Sequence, residues 1–247
     1  MNRYGLIGYP LSHSFSKRYF AQKFERESVT DAVYELFPLE TIEDLPSLLQ
    51  KHRDLIGLNV TIPYKQRVIP LLDRLDPVAK RIGAVNTIKI NPASSERVGY
   101  NSDYYGFKQS LEGWLAGKKV LQALVLGTGG ASRAVVCALQ DVGITYMYAS
   151  RQSSSEAISY QALRQDRSLA DFPLIINTTP LGMSPQVDTA PDLAYAQLTP
   201  EHFCYDLVYN PEETLFMKRS REQGAQTKNG LEMLHLQAEK SWEIWNA

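Results

Sequence analysis

Val125-Leu126-Gly127-Thr128-Gly129-Gly130-Ala131-Ser132-Arg133 decides the fold. The apolar run 120–126 leading into it reads as a buried parallel strand, and Ala134-Val135-Val136-Cys137-Ala138-Leu139 after it reads as a helix. Strand, glycine turn and helix in that order make a phosphate-binding turn. Gly127 permits the tight turn. Gly129 and Gly130 leave room for a pyrophosphate to approach the backbone, and the following helix points its free N–H groups at the anion. The spacing, Gly-x-Gly-Gly-Ala, is close to the dinucleotide fingerprint without matching it. The plain alternative is a tight strand–helix turn of any α/β protein, so the elements on either side have to arbitrate.

Downstream, 144–149, 174–176 and 203–207 read as further strands, with helical or loop patterns between them. A polar break falls at Ser153-Ser154-Ser155, a long proline-punctuated stretch spans 180–200, and 214–223 reads as a helix. The last helix, 231–245, carries Leu231, Leu234, Ala238, Trp242 and Trp245 on one stripe. Upstream, 104–115 reads as a helix linking two domains. Before it come strands at 4–8, 32–37 and 55–60 and a helix at 17–27 with Phe20 and Phe24 on one face. A second helix opens at Thr41 with a capping hydroxyl and the early acids Glu43 and Asp44, and Leu45, Leu48 and Leu49 form its apolar face. Pro63 ends the ladder after 55–60. Residues 85–90 and 97–100 read as a hairpin closed by 91–95. The alternation predicts an α/β protein with a mixed, mostly parallel sheet in its first domain.

At 247 residues the chain has room for one large domain or two small ones. Its net charge of −1 supplies no field for nucleic acid or an anionic membrane. No window approaches the ~20 apolar residues of a membrane span, and the apolar run at the N-terminus is too short for a signal peptide. Cys137 and Cys204 fall in predicted buried elements and read as reduced core residues of a cytoplasmic protein. His13, His52, His202 and His235 are scattered without paired spacing, so no metal site is expected.

Four polar stretches of the first domain lie at predicted strand ends or turns: Ser12-His13-Ser14-Phe15-Ser16, Asn59-Val60-Thr61-Ile62-Pro63-Tyr64-Lys65, Gly83-Ala84-Val85-Asn86-Thr87 and Asn101-Ser102-Asp103. Ligands of open α/β sheets sit beyond the carboxyl ends of strands, so these stretches can converge on one small polar ligand. Together with the glycine turn, Asn177-Thr178-Thr179-Pro180-Leu181-Gly182-Met183, Tyr205-Asp206-Leu207-Val208-Tyr209-Asn210-Pro211, and Gly230-Leu231-Glu232-Met233-Leu234 with Gln237, they make the chain resemble shikimate dehydrogenase over nearly its whole length. The resemblance implies an enzyme of two domains with a cleft between them. A substrate domain of residues 1–103 and 230–247 would accompany a Rossmann-like NADP-binding domain of residues 104–229, the last helix returning to pack on the first domain. It further implies reversible reduction of the ketone of 3-dehydroshikimate to shikimate by NADPH, in a monomer or homodimer.

A ketone that receives hydride becomes an alkoxide, which needs a proton and a nearby positive group. Lys65, just past a strand end, can supply both, and Asp103 can orient it and accept a hydrogen bond from a substrate hydroxyl. The resemblance makes the two a catalytic dyad. From its position alone Asp103 could equally cap the helix that follows. Ser102 stands where the family more often has threonine. Ser14 and Ser16 match carboxylate-binding serines. Alternate residues of an extended segment point the same way, although Ser16 could also cap the helix from Lys17. Asn59, Thr61 and Asn86 match residues lining the same pocket, with a structural role the alternative for Asn59. Tyr209 and Gln237 match contacts from the far side of the cleft.

For the cofactor the candidates are Gly127, Thr128, Gly129, Gly130, Ala131, Ser150, Arg151, Thr178, Leu207 and Gly230. NAD sites place an acid after the second strand, where it bonds the ribose 2′-hydroxyl. Here Ser150-Arg151-Gln152 offers no acid, and Arg151 has the charge and planar fork for a 2′-phosphate. The family's second arginine is missing and a run of serines takes its place. The rival readings are a quinate/shikimate dehydrogenase using NAD, which Ser150-Arg151 argues against, and a non-catalytic sensor of NADP or a ring acid, which would be expected to lack Lys65 or Asp103. Another small α/β dehydrogenase, such as a methylene-tetrahydrofolate dehydrogenase, suits the paired serines with Asn86 and Asp103 less well. If Lys65 is the base for the oxidation direction it must be neutral to act. Shikimate oxidation is therefore expected to quicken as pH is raised above neutrality, in initial rates followed by absorbance of the reduced cofactor.

Overall fold

Tyr4 to Gly8 are all buried, so β1 (Asn2–Gly8) is covered on both faces, as a central parallel strand must be. The computed structural model describes residues 1–11 and 14–247; Ser12 and His13 of the hydroxyl-rich motif lie outside the described residues. After β1 come α1 (Phe15–Arg26), β2 (Ala32–Pro38), α2 (Leu45–Lys51), β3 (Leu55–Val60), β4 (Arg74–Leu75), α3 (Pro77–Ile82), β5 (Thr87–Ile90) and β6 (Arg97–Tyr100). They form a sheet in the order β2-β1-β3-β5-β6-β4. β1 runs parallel to β2 and β3, β5 antiparallel to β3 and β6, and β4 parallel to β6. The mixed sheet and the β5–β6 hairpin are as the sequence pattern predicts. Val85 and Asn86 stand outside β5 because their N–H groups go to the carbonyls of Lys65 (2.7 Å) and Tyr100 (3.1 Å). β4 and α3 lie in a stretch that periodicity left without an element. α3 nonetheless carries ordinary end signals: Asp76 accepts from the Ala79 N–H at 2.8 Å, Pro77 is the first helical residue, and Gly83 ends the helix at φ 68°.

α4 (Ser102–Trp114) leads into β7 (Gln122–Leu126), α5 (Gly130–Asp141), β8 (Thr145–Ser150), β9 (Ala157–Ser159), α6 (Tyr160–Asp166), β10 (Leu174–Asn177), β11 (Phe203–Asp206), α7 (Leu215–Glu222), β12 (Gln226–Lys228) and α8 (Leu231–Asn246). The second sheet is parallel throughout, in the order β12-β11-β10-β7-β8-β9. Read from β9, this is the doubly wound order of dinucleotide-binding sheets, with its switch point between β7 and β10. The short strands β9 and β12 lack a periodic signature and escape sequence reading. Cys137 on α5 and Cys204 on β11 are both buried, and burial pushes the Cys204 thiol up to about 12. No helix among the described residues is long and apolar enough to cross a membrane.

The chain makes two compact units, one of residues 1–102 with 238–247 and one of residues 103–237. In the first, two apolar cores form, one around Ile7, Leu58, Val60 and Ile88, the other around Tyr4, Phe20, Phe24, Tyr34 and Trp245. The second core contains the C-terminal turns of α8. The Trp245 ring centroid lies 4.9 Å from that of Tyr4 and 5.4 Å from that of Phe20, and Trp242 stands 5.2 Å from Tyr4. Gly57 makes room: a Cβ there would meet the indole at 2.5 Å. The Trp245 indole N–H donates to the Ile88 carbonyl at 3.0 Å. Lys23, itself buried, pairs with Glu239 at 2.6 Å and Glu27 at 2.8 Å. Replacing Trp245 with alanine is expected to destabilise the first unit by about 3–5 kcal/mol. Urea denaturation reads this as an earlier first transition, and an unchanged midpoint contradicts the anchoring role.

Candidate active site

In the first unit the carboxyl ends of β1 and β3 lie side by side, the Thr61 N–H donating to Ile7 O at 3.0 Å and the Tyr9 N–H to Ile62 O at 3.2 Å. Beyond those ends the chain turns at Thr61–Tyr64 to reach Lys65, which is half-buried and whose carbonyl receives the Val85 N–H. The same stretch carries Asn86, so Thr61, Lys65 and Asn86 belong to one set of connected turns.

Asn59 and Asn86 are buried, and their amides have partners inside the protein. Asn59 Oδ1 accepts from the Tyr34 hydroxyl at 2.8 Å and Nδ2 donates to Ser241 Oγ at 2.9 Å. Asn86 Oδ1 accepts from the Ser102 N–H at 2.6 Å while its Nδ2 donates to Ser102 Oγ at 2.9 Å. Asn59 thus joins β2 to α8 through its amide, as in the structural role that the sequence left open for it.

The two serines depart from the expected extended segment. Ser14 is extended (φ −104°, ψ 118°) at the N-cap position of α1, whereas Ser16 already belongs to the helix. Ser14, not Ser16, occupies the cap position, and residues two apart across a helix start no longer point the same way. Ser14 makes no side-chain capping bond, and its Oγ is buried without a hydrogen-bond partner among the described residues. Ser16 bonds the Tyr34 phenol, whose pKa is pushed up by burial and drawn back by that contact.

In the second unit Gly127 has φ 95°, a conformation other residues rarely adopt, and donates its N–H to Ala149 O at 2.8 Å. Gly129 is the N-cap of α5, no acid stands in the first turn, and a Cβ at Gly129 or Gly130 would meet nothing within 4 Å. Thr128 is exposed, and Gly130 and Ala131 are half-buried at the same mouth. A dinucleotide's pyrophosphate suits this cradle, with open space over the backbone and free N–H groups at its floor. Thr178, past β10, donates Oγ1–H to Leu126 O at 2.7 Å, which brings it beside the glycine turn across the switch point. Leu207 and Gly230 are also brought together: a Cβ on Gly230 would lie 2.1 Å from Leu207 O, and the Gly230 N–H donates to Val208 O at 3.1 Å.

At the end of β8, Arg151 is exposed. The serines around it fold their own loop: Ser150 Oγ bonds Gln152 O, Ser153 Oγ accepts from the Ser159 N–H at 3.0 Å, and Ser154 Oγ accepts from the Ala157 N–H at 3.1 Å. Asp103 lies in the first turn of α4, after Ser102, rather than at a cap position. Tyr209 and Gln237 are half-buried, the Gln237 amide donating to Leu234 O at 2.9 Å. No group of three potential metal ligands occurs among the described residues.

Sequence reading missed Tyr34 and Ser241 as neighbours of the candidate site. It also missed the chemistry of Asp206. That carboxylate, buried at the end of β11, accepts from Thr214 Oγ1 (2.6 Å), the Val208 N–H (3.0 Å) and Asn177 Nδ2 (3.0 Å). It so ties the Asn177–Thr179 loop to the Leu207 segment. No local pattern announces these partners, which come from different elements.

A doubly wound unit with a glycine turn at its switch point, joined to a mixed-sheet unit with polar residues past its strand ends, defines a nucleotide-dependent dehydrogenase of the two-unit α/β class. Residues 6–88 match the family described as the shikimate dehydrogenase substrate binding domain. The shikimate dehydrogenase (NADP(+)) of Methanococcus aeolicus is 37% identical, covering 98% of this chain and 90% of its own. Among solved structures, Thermus thermophilus shikimate 5-dehydrogenase in complex with NADP(H) and shikimate is 30% identical with a TM-score of 0.85, covering 99% of this chain and 93% of its own. Corynebacterium glutamicum quinate dehydrogenase in complex with NAD is 28% identical with a TM-score of 0.88 and the same two coverages. The chain belongs to the shikimate dehydrogenase family.

Burial pushes the Asp206 carboxyl up to about 6, against the lowering pull of Thr214, Val208 and Asn177. Its folded pKa exceeds the unfolded value, so the folded state holds the proton more tightly and the group favours folding increasingly as pH falls through 6 toward 4. Relative to an Asp206→Asn variant, the protein is expected to gain up to about 3 kcal/mol of stability between neutral and mildly acidic pH. Denaturation midpoints of the two proteins across that range measure it, and parallel profiles would contradict it.

Proposed function

We propose that this chain is an NADP-dependent shikimate dehydrogenase, reversibly reducing 3-dehydroshikimate to shikimate on the route to aromatic amino acids. The observation that carries the substrate reading is the buried hydroxyl of Ser14 at the start of α1, which has no hydrogen-bond partner among the described residues. Buried polar groups are satisfied, and a ring carboxylate at a helix N-terminus supplies the missing acceptor. Thr61 adds a hydroxyl past the end of β3, Ser16 acts from the first turn of α1 through the Tyr34 phenol it bonds, and Tyr209 and Gln237 contact the ring.

NADPH supplies the hydride. Gly129, Gly130 and Ala131 hold its pyrophosphate, with Gly127 and Thr128 shaping the turn. Arg151, beside Ser150, takes the 2′-phosphate, and Thr178, Leu207 and Gly230 border the nicotinamide. Lys65 Nζ donates its proton to the oxygen of the former ketone as charge develops there, and takes it back in the oxidation direction. Asp103 orients Lys65 and accepts from the neighbouring ring hydroxyl. A reducing, cytoplasmic setting suits a chain whose cysteines, Cys137 and Cys204, are both buried in the core, and the enzyme would act as a monomer or homodimer.

Initial rates of shikimate oxidation with NADP and NAD in parallel test the reading, with Lys65→Ala beside the unaltered protein. NADP is expected to be preferred, and the variant to lose about 10²-fold or more in kcat. A preference for NAD, or for quinate over shikimate, moves the assignment to the quinate branch. Near-normal turnover by Lys65→Ala removes the lysine from the chemistry.

A further inference from the structure

Ser241, on the last helix and outside every stretch that carries the resemblance, is fully buried. Its Oγ lies 2.9 Å from Thr87 Oγ1 and 3.0 Å from Ser102 Oγ, and Thr87 and Ser102 are 3.1 Å apart. Three hydroxyls thus form a nearly equilateral triangle sealed from water. Each has one proton, so a cycle in which every hydroxyl donates to the next satisfies all three, and two amides feed the cycle from outside. Asn59 Nδ2 donates to Ser241, and Asn86 Nδ2 donates to Ser102.

Each member leads to a candidate site residue. Asn59 continues to Tyr34, whose phenol meets Ser16. Asn86 returns through Oδ1 to the Ser102 N–H, at the first residue of α4, one position before Asp103. Without the Ser241 hydroxyl, Asn59 Nδ2 keeps only its longer contacts, 3.3 Å to Asn86 O and 3.4 Å to Thr87 Oγ1. Ser102 then loses a neighbour that fixes its hydroxyl. Docking of the helix does not need this hydroxyl, because Trp245, Trp242 and the Lys23–Glu239 pair already hold it.

We propose that Ser241 is a positioning residue, closing the buried hydroxyl triangle that sets the amides of Asn59 and Asn86 and the start of α4 in the geometry turnover requires. The inference rests on the shikimate dehydrogenase reading for its kinetic consequence but not for its structural one. The tests are steady-state kinetics and amide hydrogen exchange on Ser241→Ala, with Ser241→Thr as the variant that restores the hydroxyl.

Ser241→Ala is expected to lower kcat for shikimate oxidation about tenfold, as loss of one buried hydrogen bond predicts, and Ser241→Thr to recover most of it. KM for NADP is expected to stay within about twofold. In the unliganded protein, exchange at residues 102–106 is expected to rise about tenfold or more while β1 and β3 remain protected. Unchanged exchange there, or kcat and KM for shikimate both within about twofold of the unaltered protein, overturns the proposal. So does a loss of protection in β1 and β3 alongside residues 102–106, which marks general unfolding. If the unaltered protein fails to oxidise shikimate, the functional reading falls, and the exchange result alone decides the role of Ser241.

Discussion

The first unit depends on one side chain laid against a residue that has none. Trp245 covers Gly57 in the middle of β3, and its indole proton goes to a carbonyl of β5. An amphipathic helix bound only by apolar contact could slide along a sheet, but this hydrogen bond gives the end of α8 a fixed register. With that register set, Ser241 faces Thr87 and Ser102 rather than solvent. A purely apolar seam would give similar burial without placing any hydroxyl.

The two units use buried polarity differently. In the first, the hydroxyls of Thr87, Ser102 and Ser241 and the amides of Asn59 and Asn86 saturate one another, and the buried ammonium of Lys23 is met by Glu27 and Glu239. In the second, Asp206 is a carboxylate held inside the protein, where three donors offset only part of the desolvation penalty. What it secures is the relative placement of two loops, the one after β10 and the one after β11, on the side where Thr178 and Leu207 stand. A neutral residue of similar shape could fill the space but would not accept from all three donors at once.

Much of this was legible in the sequence, and the rest was not for identifiable reasons. The strand–turn–helix at Val125–Arg133 revealed the doubly wound unit because its glycines satisfy strictly local demands, such as the φ of 95° at Gly127. The β5–β6 hairpin and the helix stripe ending at Trp245 were equally plain, since periodicity of 2 or 3.6 is a property of neighbouring residues. The triplets β9 and β12 are too short to show a period, and α3 was passed over despite the Asp76-Pro77 and Gly83 signals at its ends. The site was legible as a set of residue types at strand ends. Which amides are consumed internally was not, because Asn59 meets Ser241 across 182 residues of chain and no local rule reaches that far. The geometry of Ser14 and Ser16 was misread for a related reason. Where α1 starts depends on how Phe20 and Phe24 seat against the sheet, and that moved the helix two residues upstream of Lys17.

The first unit is discontinuous along the chain, residues 1–102 being completed by 238–247. On the ribosome these pieces are separated in time. At roughly 5–20 residues per second, synthesis of the intervening segment takes on the order of ten seconds. Throughout that interval the surfaces of Tyr4, Phe20 and Phe24 that Trp242 and Trp245 will cover have no lid, and the hydroxyls of Thr87 and Ser102 lack their third partner. The intervening residues carry a complete parallel sheet and can mature first. The order of emergence and the order of maturation are therefore reversed, and the nascent chain displays an unfinished apolar face to the cell's chaperones until residues 238–247 have emerged.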